Sequence, residues 1–370
     1  MKNIKWIIGV LFITLVVIFT TRNQTTQTNN NLTIGALAPL TGQVSVLGER
    51  MRNGMELARE DIVDQYEIDE LDIIYEDACD AKSSLNASRK LVQVNNVPII
   101  ASSFCLPGID AVAPFTEEND VIFLNTAANP ETTLNKNYVF STNFTIANDS
   151  ENIANYIVNE LKAKTAAMIH LDTSFGESYR NNFTTSFESV DGQLITSEAK
   201  LLDATDFRIE LTKIKEADPD VLIIIHFGSS LGNAIKQARE LGLDMPIIGD
   251  YESEDTTVLE FAGEAAEGLI ISSSTPEIES NKVLSFKQRY IAKYGEEPDV
   301  LATNAYDAVM LSVSRYLACD RDVKCTKDAL ESVSKYEGVS GLITIDPDDH
   351  SVIKPNIFKI VKDGKFVEIK

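Results

Sequence analysis

The chain has 370 residues, 44% of them hydrophobic and 24% charged, with 33 Lys and Arg against 56 Asp and Glu. This is enough apolar material for about two domains of ordinary size. The formal net charge of −23 repels phosphate backbones and argues against a nucleic-acid partner; its ordinary consequence is solubility.

The first segment stands apart from the rest. MKNIKWIIGVLFITLVVIFTTR (residues 1–22) sets Lys2 and Lys5 before an apolar run from Trp6 to Phe19. That is the pattern of an export signal or a single membrane anchor. The run is short for a spanning helix, though Thr20 and Thr21 extend it. No A-x-A cleavage site and no lipobox cysteine follow. An N-terminal hydrophobic helix left uncleaved, anchoring the protein to the outer face of the cytoplasmic membrane, is therefore expected, with a cleaved signal as the alternative. Residues 23–31, NQTTQTNNN, read as a polar stalk. Sequons at Asn23, Asn31, Asn86, Asn143, Asn148 and Asn182 are compatible with export.

After the stalk, strand and helix signals alternate. LTIGALAPL (32–40) is a buried-strand run, and residues 47–62 are helical, with Met51, Met55, Ala58 and Ile62 on one face. LDIIYEDA (71–78) is a strand, 81–94 a helix, VPIIASSF (97–104) a strand, 107–118 a helix opening at Pro107, and VIFLNTAA (121–128) a strand. A second set follows. Helix 151–163 leads to strand 165–172, helix 176–190, strand 192–200, helix 207–217, strand 220–228, helix 232–242, and strands 245–251 and 269–275. The β-α-β rhythm predicts two doubly wound parallel sheets in tandem. Helices fill 281–334. The one spanning 299–318 reads as amphipathic, with Leu301, Ala305, Ala308 or Val309, Ser312 and Tyr316 on a face. GLITID (341–346) and a hairpin turning at Asp363-Gly364 close the chain. A tail of this kind crosses between lobes and makes both discontinuous. The expected division is 32–148 plus 275–338 for the first lobe and 149–274 plus 339–370 for the second.

Four cysteines, Cys79, Cys105, Cys319 and Cys325, stand in a chain expected in an oxidising compartment, so disulfides lead. Three pairings are possible; 79–105 with 319–325 is the local one. Cys79 lies among Glu76, Asp77 and Asp80. A metal site wants C-x2-C or nearby histidine, and acids raise a thiol's pKa, so neither a metal nor a reactive thiol is expected there.

No GxGxxG, Walker loop, HExxH or G-x-S-x-G occurs. Of the three histidines, His170 and His226 sit in apolar strands, and DPDDHS (346–351) lacks the glycine and final glutamate of a calcium loop. DYESED (250–255) either presents acids to a ligand or is a polar loop. In open α/β sheets ligands bind beyond the carboxyl ends of strands. The candidate loops there are 41–48, 104–108, 126–130, 172–176, 227–230 and 250–254. They hold aromatic, small and amide side chains rather than a nucleophile with its base, which suits binding rather than turnover. Neither a cofactor nor enzymatic activity is expected.

Several stretches in order resemble one family: IGALAPLTGQVSVLGERMRNGMELA (34–58), YEDACDAK (75–82), SSFC (102–105), FAGEAAEGLIIS (261–272), YGEEPDVLATNAYDAVML (294–311), and GVSGLITID with VKDGKFVEI near the end. Together they resemble the leucine/isoleucine/valine-binding type of periplasmic solute-binding protein, with its type I two-lobe fold, from about residue 32 onward. The resemblance implies capture of a small molecule by lobe closure and delivery to ABC permease subunits. It also implies a ligand carboxylate held by backbone N–H groups and small hydroxyls, and an ammonium held by an acid of the second lobe.

Carried onto this sequence, the ligand set becomes Leu47, Phe104, Leu106, Thr126, Ala127, Asn129, Phe175, Phe227, Asp250, Tyr251 and Glu252. Leu106 stands where the family has Ser, Asn129 where it has Thr, and Leu47 where it has an aromatic. Phe175 and Phe227 replace tyrosines, and the ammonium-binding acid falls at Tyr251, flanked by Asp250 and Glu252. The cleft is expected to be more apolar than an amino-acid site, open to a branched-chain amino acid, an amide or an aromatic acid. A monomer is expected. An extracellular sensor domain of a receptor system is the alternative use of the same fold.

Overall fold

β1 (Asn31–Ala38) is buried along nearly all its length, which is why it reads as an unbroken apolar run rather than an alternating one. It sits inside a parallel sheet, in a computed structural model that describes residues 30–126, 130–143, 145–273, 280–354 and 357–369. The expected N-terminal helix and most of the stalk lie outside the described residues. Among those described, no helix is long and apolar enough to cross a membrane.

The first unit continues with α1 (Ser45–Tyr66), β2 (Glu70–Asp77), α2 (Ala81–Arg89, prolonged by a π turn over Lys90–Val94), β3 (Ile99–Ala101), α3 (Leu106–Glu118), β4 (Ile122–Asn125), α4 (Pro130–Thr133) and β5 (Val139–Ser141). Its sheet runs β2-β1-β3-β4-β5, parallel throughout. The second unit comprises α5 (Ile146–Asn159), β6 (Thr165–Leu171), α6 (Ser174–Ser189), β7 (Gln193–Lys200), α7 (Arg208–Ala217), β8 (Val221–Ile225), α8 (Gly228–Glu240), β9 (Ile247–Gly249), α9 (Thr256–Ala262) and β10 (Ile270–Ser273). Its parallel strands run β7-β6-β8-β9-β10, the order of the first sheet repeated. The expected alternation is therefore what the fold contains, with β5, α4 and α9 added. Three residues of strand, or four to seven of helix, are too short to show a clear period.

The tail holds α10 (Asn281–Tyr294), α11 (Val300–Ala318), α12 (Val323–Glu331), β11 (Tyr336–Gly338), β12 (Gly341–Ile345), β13 (Val352–Ile353), β14 (Ile357–Lys362) and β15 (Lys365–Glu368). β14 and β15 extend the second sheet antiparallel beyond β10. The segment 339–353 behaves differently from the expected division at 338. Val339, Ile343, Ile345 and Val352 are buried in the same core as Ile34, Leu57 and Leu124 of the first unit. Helix α11 also departs from expectation. It is not amphipathic but buried nearly all round, with Asn304, Asp307, Ser312 and Ser314 inside alongside its apolar residues. A helix clad on all sides carries no periodic signal.

Apolar packing forms three clusters. One covers the α1 and α11 face of the first sheet, and another the α7 and α8 face of the second. The third runs continuously from α2 and α3 on the first sheet to α5 and α6 on the second. The chain crosses between sheets after β5, β10 and β13. Two of these crossings meet at Asn304 of α11. Thr142 Oγ1 donates to its carbonyl at 3.2 Å, and Lys354 Nζ donates to its Oδ1 at 2.8 Å. Lys354 also donates to Ser340 Oγ at 2.8 Å, and burial lowers its pKa to about 7 against the opposing charge of Asp307. Asp307 in turn accepts the N–H groups of Val339 and Ser340 at 3.0 and 2.8 Å.

Helices α1 and α11 cross closely at Gly54, where an added Cβ would stand 2.1 Å from the carbonyl oxygen of Ala302. Backbone cannot yield as a side-chain tip can. Gly54→Ala is expected to cost about 2 kcal/mol or more of unfolding free energy, read by denaturant titration.

Candidate functional site

Both sheets reverse their strand order between the first and third strands, β1 and β3 in one unit and β6 and β8 in the other. Such switch points open a crevice at the carboxyl ends of the strands. A cavity of about 450 Å3 occupies this position and takes its walls from both units. From the first come Val44 and Leu47 after β1, Cys79 and Asp80 after β2, Phe104 to Pro107 after β3, and Thr126 after β4. From the second come Leu171, Thr173, Ser174 and Phe175 around the end of β6, Leu202 after β7, Phe227 after β8, and Tyr251 with Glu252 after β9. A second hollow of about 350 Å3 adjoins it, sharing Val44, Leu47, Leu202, Phe227 and Glu252 and adding Arg50, Asp255, Thr257 and Asp299.

The acids around Cys79 are structural. Asp80 caps α2, its carboxylate accepting the N–H groups of Lys82 and Ser83 at 2.9 and 3.1 Å. Glu76 pairs with Lys90 at 2.6 Å. Asp77 accepts the N–H groups of Leu40 and Thr41 at 2.7 and 3.2 Å and the Thr41 hydroxyl at 2.5 Å, and these bonds hold its pKa below the usual carboxylate range. Asp77 thereby pins the loop that carries Val44 and Leu47. Disulfides join Cys79 to Cys105 and Cys319 to Cys325, the local pairing. The first of these bridges is itself part of the cavity wall. Its partner Cys105 directly precedes α3, so the covalent link fixes where Leu106 enters the cavity.

Ser102, between β3 and the wall residues, has φ +66°, a left-handed conformation unusual for serine. Backbone bonds to Leu37 and Leu124 hold it there. In the second unit, α6 starts so close to β6 that a Cβ on Gly176 would stand 2.0 Å from the carbonyl oxygen of Leu171. That approach brings Phe175 into the cleft, where its ring lies 5.5 Å from Phe227 and 5.2 Å from Tyr179.

Carboxylates gather behind the second-unit wall. Tyr179 donates to Asp149. Asp250 is fully buried, accepts the Ser253 hydroxyl at 2.9 Å through Oδ1, and has no hydrogen-bond donor at Oδ2. Burial, then the charge of Asp149, pushes its pKa up to about 8. Glu252, half-buried at the wall, is raised well above the ordinary glutamate value by burial and then by Asp250. Arg50 of α1 reaches across to the second unit's Asp255 at 3.4 Å and also meets Asp299 at 3.2 Å and Glu296 at 3.4 Å.

Eight of the expected ligand residues therefore line one cavity: Leu47, Phe104, Leu106, Thr126, Phe175, Phe227, Tyr251 and Glu252. Asp250 does not; it stands behind Tyr251 and Glu252. Ala127 and Asn129 lie outside the described residues. Sequence reading missed Val44, Cys79, Asp80, Cys105, Pro107, Leu171, Thr173, Ser174 and Leu202 as individual lining residues. Val44, Cys105, Pro107, Thr173 and Ser174 sit in loops already singled out, but Cys79 and Asp80 after β2 and Leu202 after β7 follow edge strands outside them. None of the histidines lines the cavity. His170 bonds Leu171 O at 3.0 Å, His226 packs edge-on against Phe207, and His350 sits between Val139 O and Glu331. The 346–351 turn satisfies its own polar groups, Asp346 accepting the N–H groups of Asp348 and His350. Among the described residues, no group of three or more His, Cys, Asp or Glu is placed to hold a metal ion.

The sequence profile described as "Periplasmic binding protein" matches residues 31–365. The chain belongs to the periplasmic binding protein family. It is 23% identical over 288 residues, 76% of each chain, to the leucine-, isoleucine-, valine-, threonine- and alanine-binding protein of Pseudomonas aeruginosa. Its fold matches a leucine-binding protein of Thermotoga maritima with a TM-score of 0.81 at 23% identity, over 92% of this chain and 98% of that one. A benzoate-bound ABC-transporter solute-binding protein of R. palustris matches with a TM-score of 0.82 at 20% identity, over 92% and 95%.

The buried acid gives a pH test. A carboxyl whose folded pKa lies above its unfolded value costs stability as pH rises through the interval between them. For Asp250 that interval runs from its ordinary value of 3.8 to about 8. The melting temperature of Asp250→Asn is expected to match wild type near pH 4 and to exceed it by about 3 °C or more above pH 8.

Proposed function

We propose that this protein is the extracytoplasmic solute-binding component of an ABC importer, taking up one small molecule between its two units and presenting it to permease subunits. The observation that carries this reading is the cavity at both switch points, enclosed by loops of both units and lined mainly by apolar groups. Its volume is that of a small-ligand pocket. Walls from two units mean that a bound molecule bridges them, so binding and closure are one event. The contact of Arg50 with Asp255 spans the same gap.

In this reading Leu47, Phe104, Leu106, Thr126, Phe175, Phe227, Tyr251 and Glu252 contact the solute, joined by Ala127 and Asn129, and the protein acts as a monomer without turnover. Residues 1–22 tether it to the outer face of the cytoplasmic membrane or are removed on export; Lys2, Lys5 and the run from Trp6 to Phe19 support either.

A thermal-melt screen of amino acids, amides and aromatic acids tests this. A ligand at about 100 times its dissociation constant adds roughly 2.7 kcal/mol of stability, a shift of several degrees. If no member of these classes moves the melt, the solute class is wrong. Phe227→Ala is expected to weaken the ligand so found by about tenfold or more while changing the ligand-free melt little, because its ring is only half-buried before binding.

A further inference from the structure

We propose that the cleft selects a solute with a positive charge on an apolar body, a hydrophobic amine, over a carboxylate of the same shape. This rests on the cleft being the solute site.

The charged residues lining the cavity are Asp80 and Glu252; none of the lining residues is Lys, Arg or His. Residues 127–129, 144, 274–279 and 355–356, which lie outside the description, contain no Lys, Arg or His either. Arg50 lines the adjoining hollow, but Asp299, Asp255 and Glu296 already surround its guanidinium. A carboxylate entering the cavity would therefore rely on neutral donors.

Several such donors among the described residues are already engaged. Helix starts are the usual alternative to a cation for holding an anion. At the start of α3, Pro107 has no N–H, and the N–H groups of Gly108 and Ile109 return to Cys105 O at 2.9 and 3.0 Å. At the start of α6, Gly176 N–H goes to the Thr173 hydroxyl at 3.3 Å and Glu177 N–H to the Thr173 carbonyl at 3.0 Å. At the start of α8, the N–H groups of Ser230 and Leu231 both return to Phe227 O at 3.2 Å. The Thr126 hydroxyl is committed to Ser103 O at 3.1 Å.

A cation meets the opposite conditions. Glu252 offers a carboxylate at the wall, with Asp250 and Asp149 close behind it and Asp299 beyond. Burial and mutual repulsion make it costly for these carboxyls to ionise together, and an ammonium placed against Glu252 would relieve that cost. Phe104, Phe175, Phe227 and Tyr251 supply ring faces, which attract an ammonium while packing an apolar body. Among the described lining residues, the charged side chains can pair with a cation and none can pair with an anion.

The test compares four probes of similar size by isothermal titration calorimetry on the exported protein: 2-phenylethylamine, 3-phenylpropanamide, 3-phenylpropanoate and phenylalanine. The amine is expected to bind about tenfold or more tighter than the amide and the carboxylate. Glu252→Gln, checked for an intact melt, is expected to erase most of that advantage by weakening the amine far more than the amide. A carboxylate or zwitterion that outbinds the amine overturns the charge selection and leaves the cleft as the solute site. An amine preference that survives Glu252→Gln overturns the role given to that residue and, with it, the proposal. Failure of all four probes, each bearing the apolar body the cavity fits, would count against the cleft as the solute site itself.

Discussion

Parallel pairing forces every strand-to-helix turn of a sheet onto one edge. In this protein that constraint operates twice, with the same strand order in both units. Short loops then deliver side chains from eight strands to one crevice without a long functional loop. The side chains are held by nearby rigid features. Asp77 pins the β1 loop, the disulfide fixes the start of α3, and the tight start of α6 places Phe175. The cleft's shape follows from the sheets, and its chemistry from which side chains occupy the strand ends.

The units are not independent bodies that happen to face each other. One apolar cluster runs from the first sheet into the second, and Asn304 of α11 receives bonds from two of the three crossings. A hinge built this way combines a polar node with apolar packing. The node is costly to leave half-satisfied, since Lys354, Asn304, Asp307 and Ser340 are all buried. Relative motion of the units that keeps these bonds is favoured over motion that breaks them.

Much of this was legible in the sequence. Long apolar runs such as 220–228 and periodic helices such as 47–62 announced themselves, and the switch-point rule picked out most of the loops that line the cavity but not those after the edge strands β2 and β7. What was hidden had physical causes. α11 is enclosed on every side, so its pattern resembled a weak stripe rather than a buried rod. The 339–353 segment sits in the first unit's core, yet its short strands look like any closing hairpin. Asp250 was visible as an acid near a strand end, but only packing shows that Tyr251 and Glu252 stand between it and the cavity. Leu202 follows an edge strand and had no signal of its own.

The Cys79–Cys105 bridge does more than close a loop of the chain. Because its two residues form part of the cavity wall and precede Leu106, the bridge ties two strand ends of that wall together covalently. A reducing compartment leaves that tie open and an oxidising one closes it. The stiffness of this part of the wall is thus set by the redox state of the chain's surroundings.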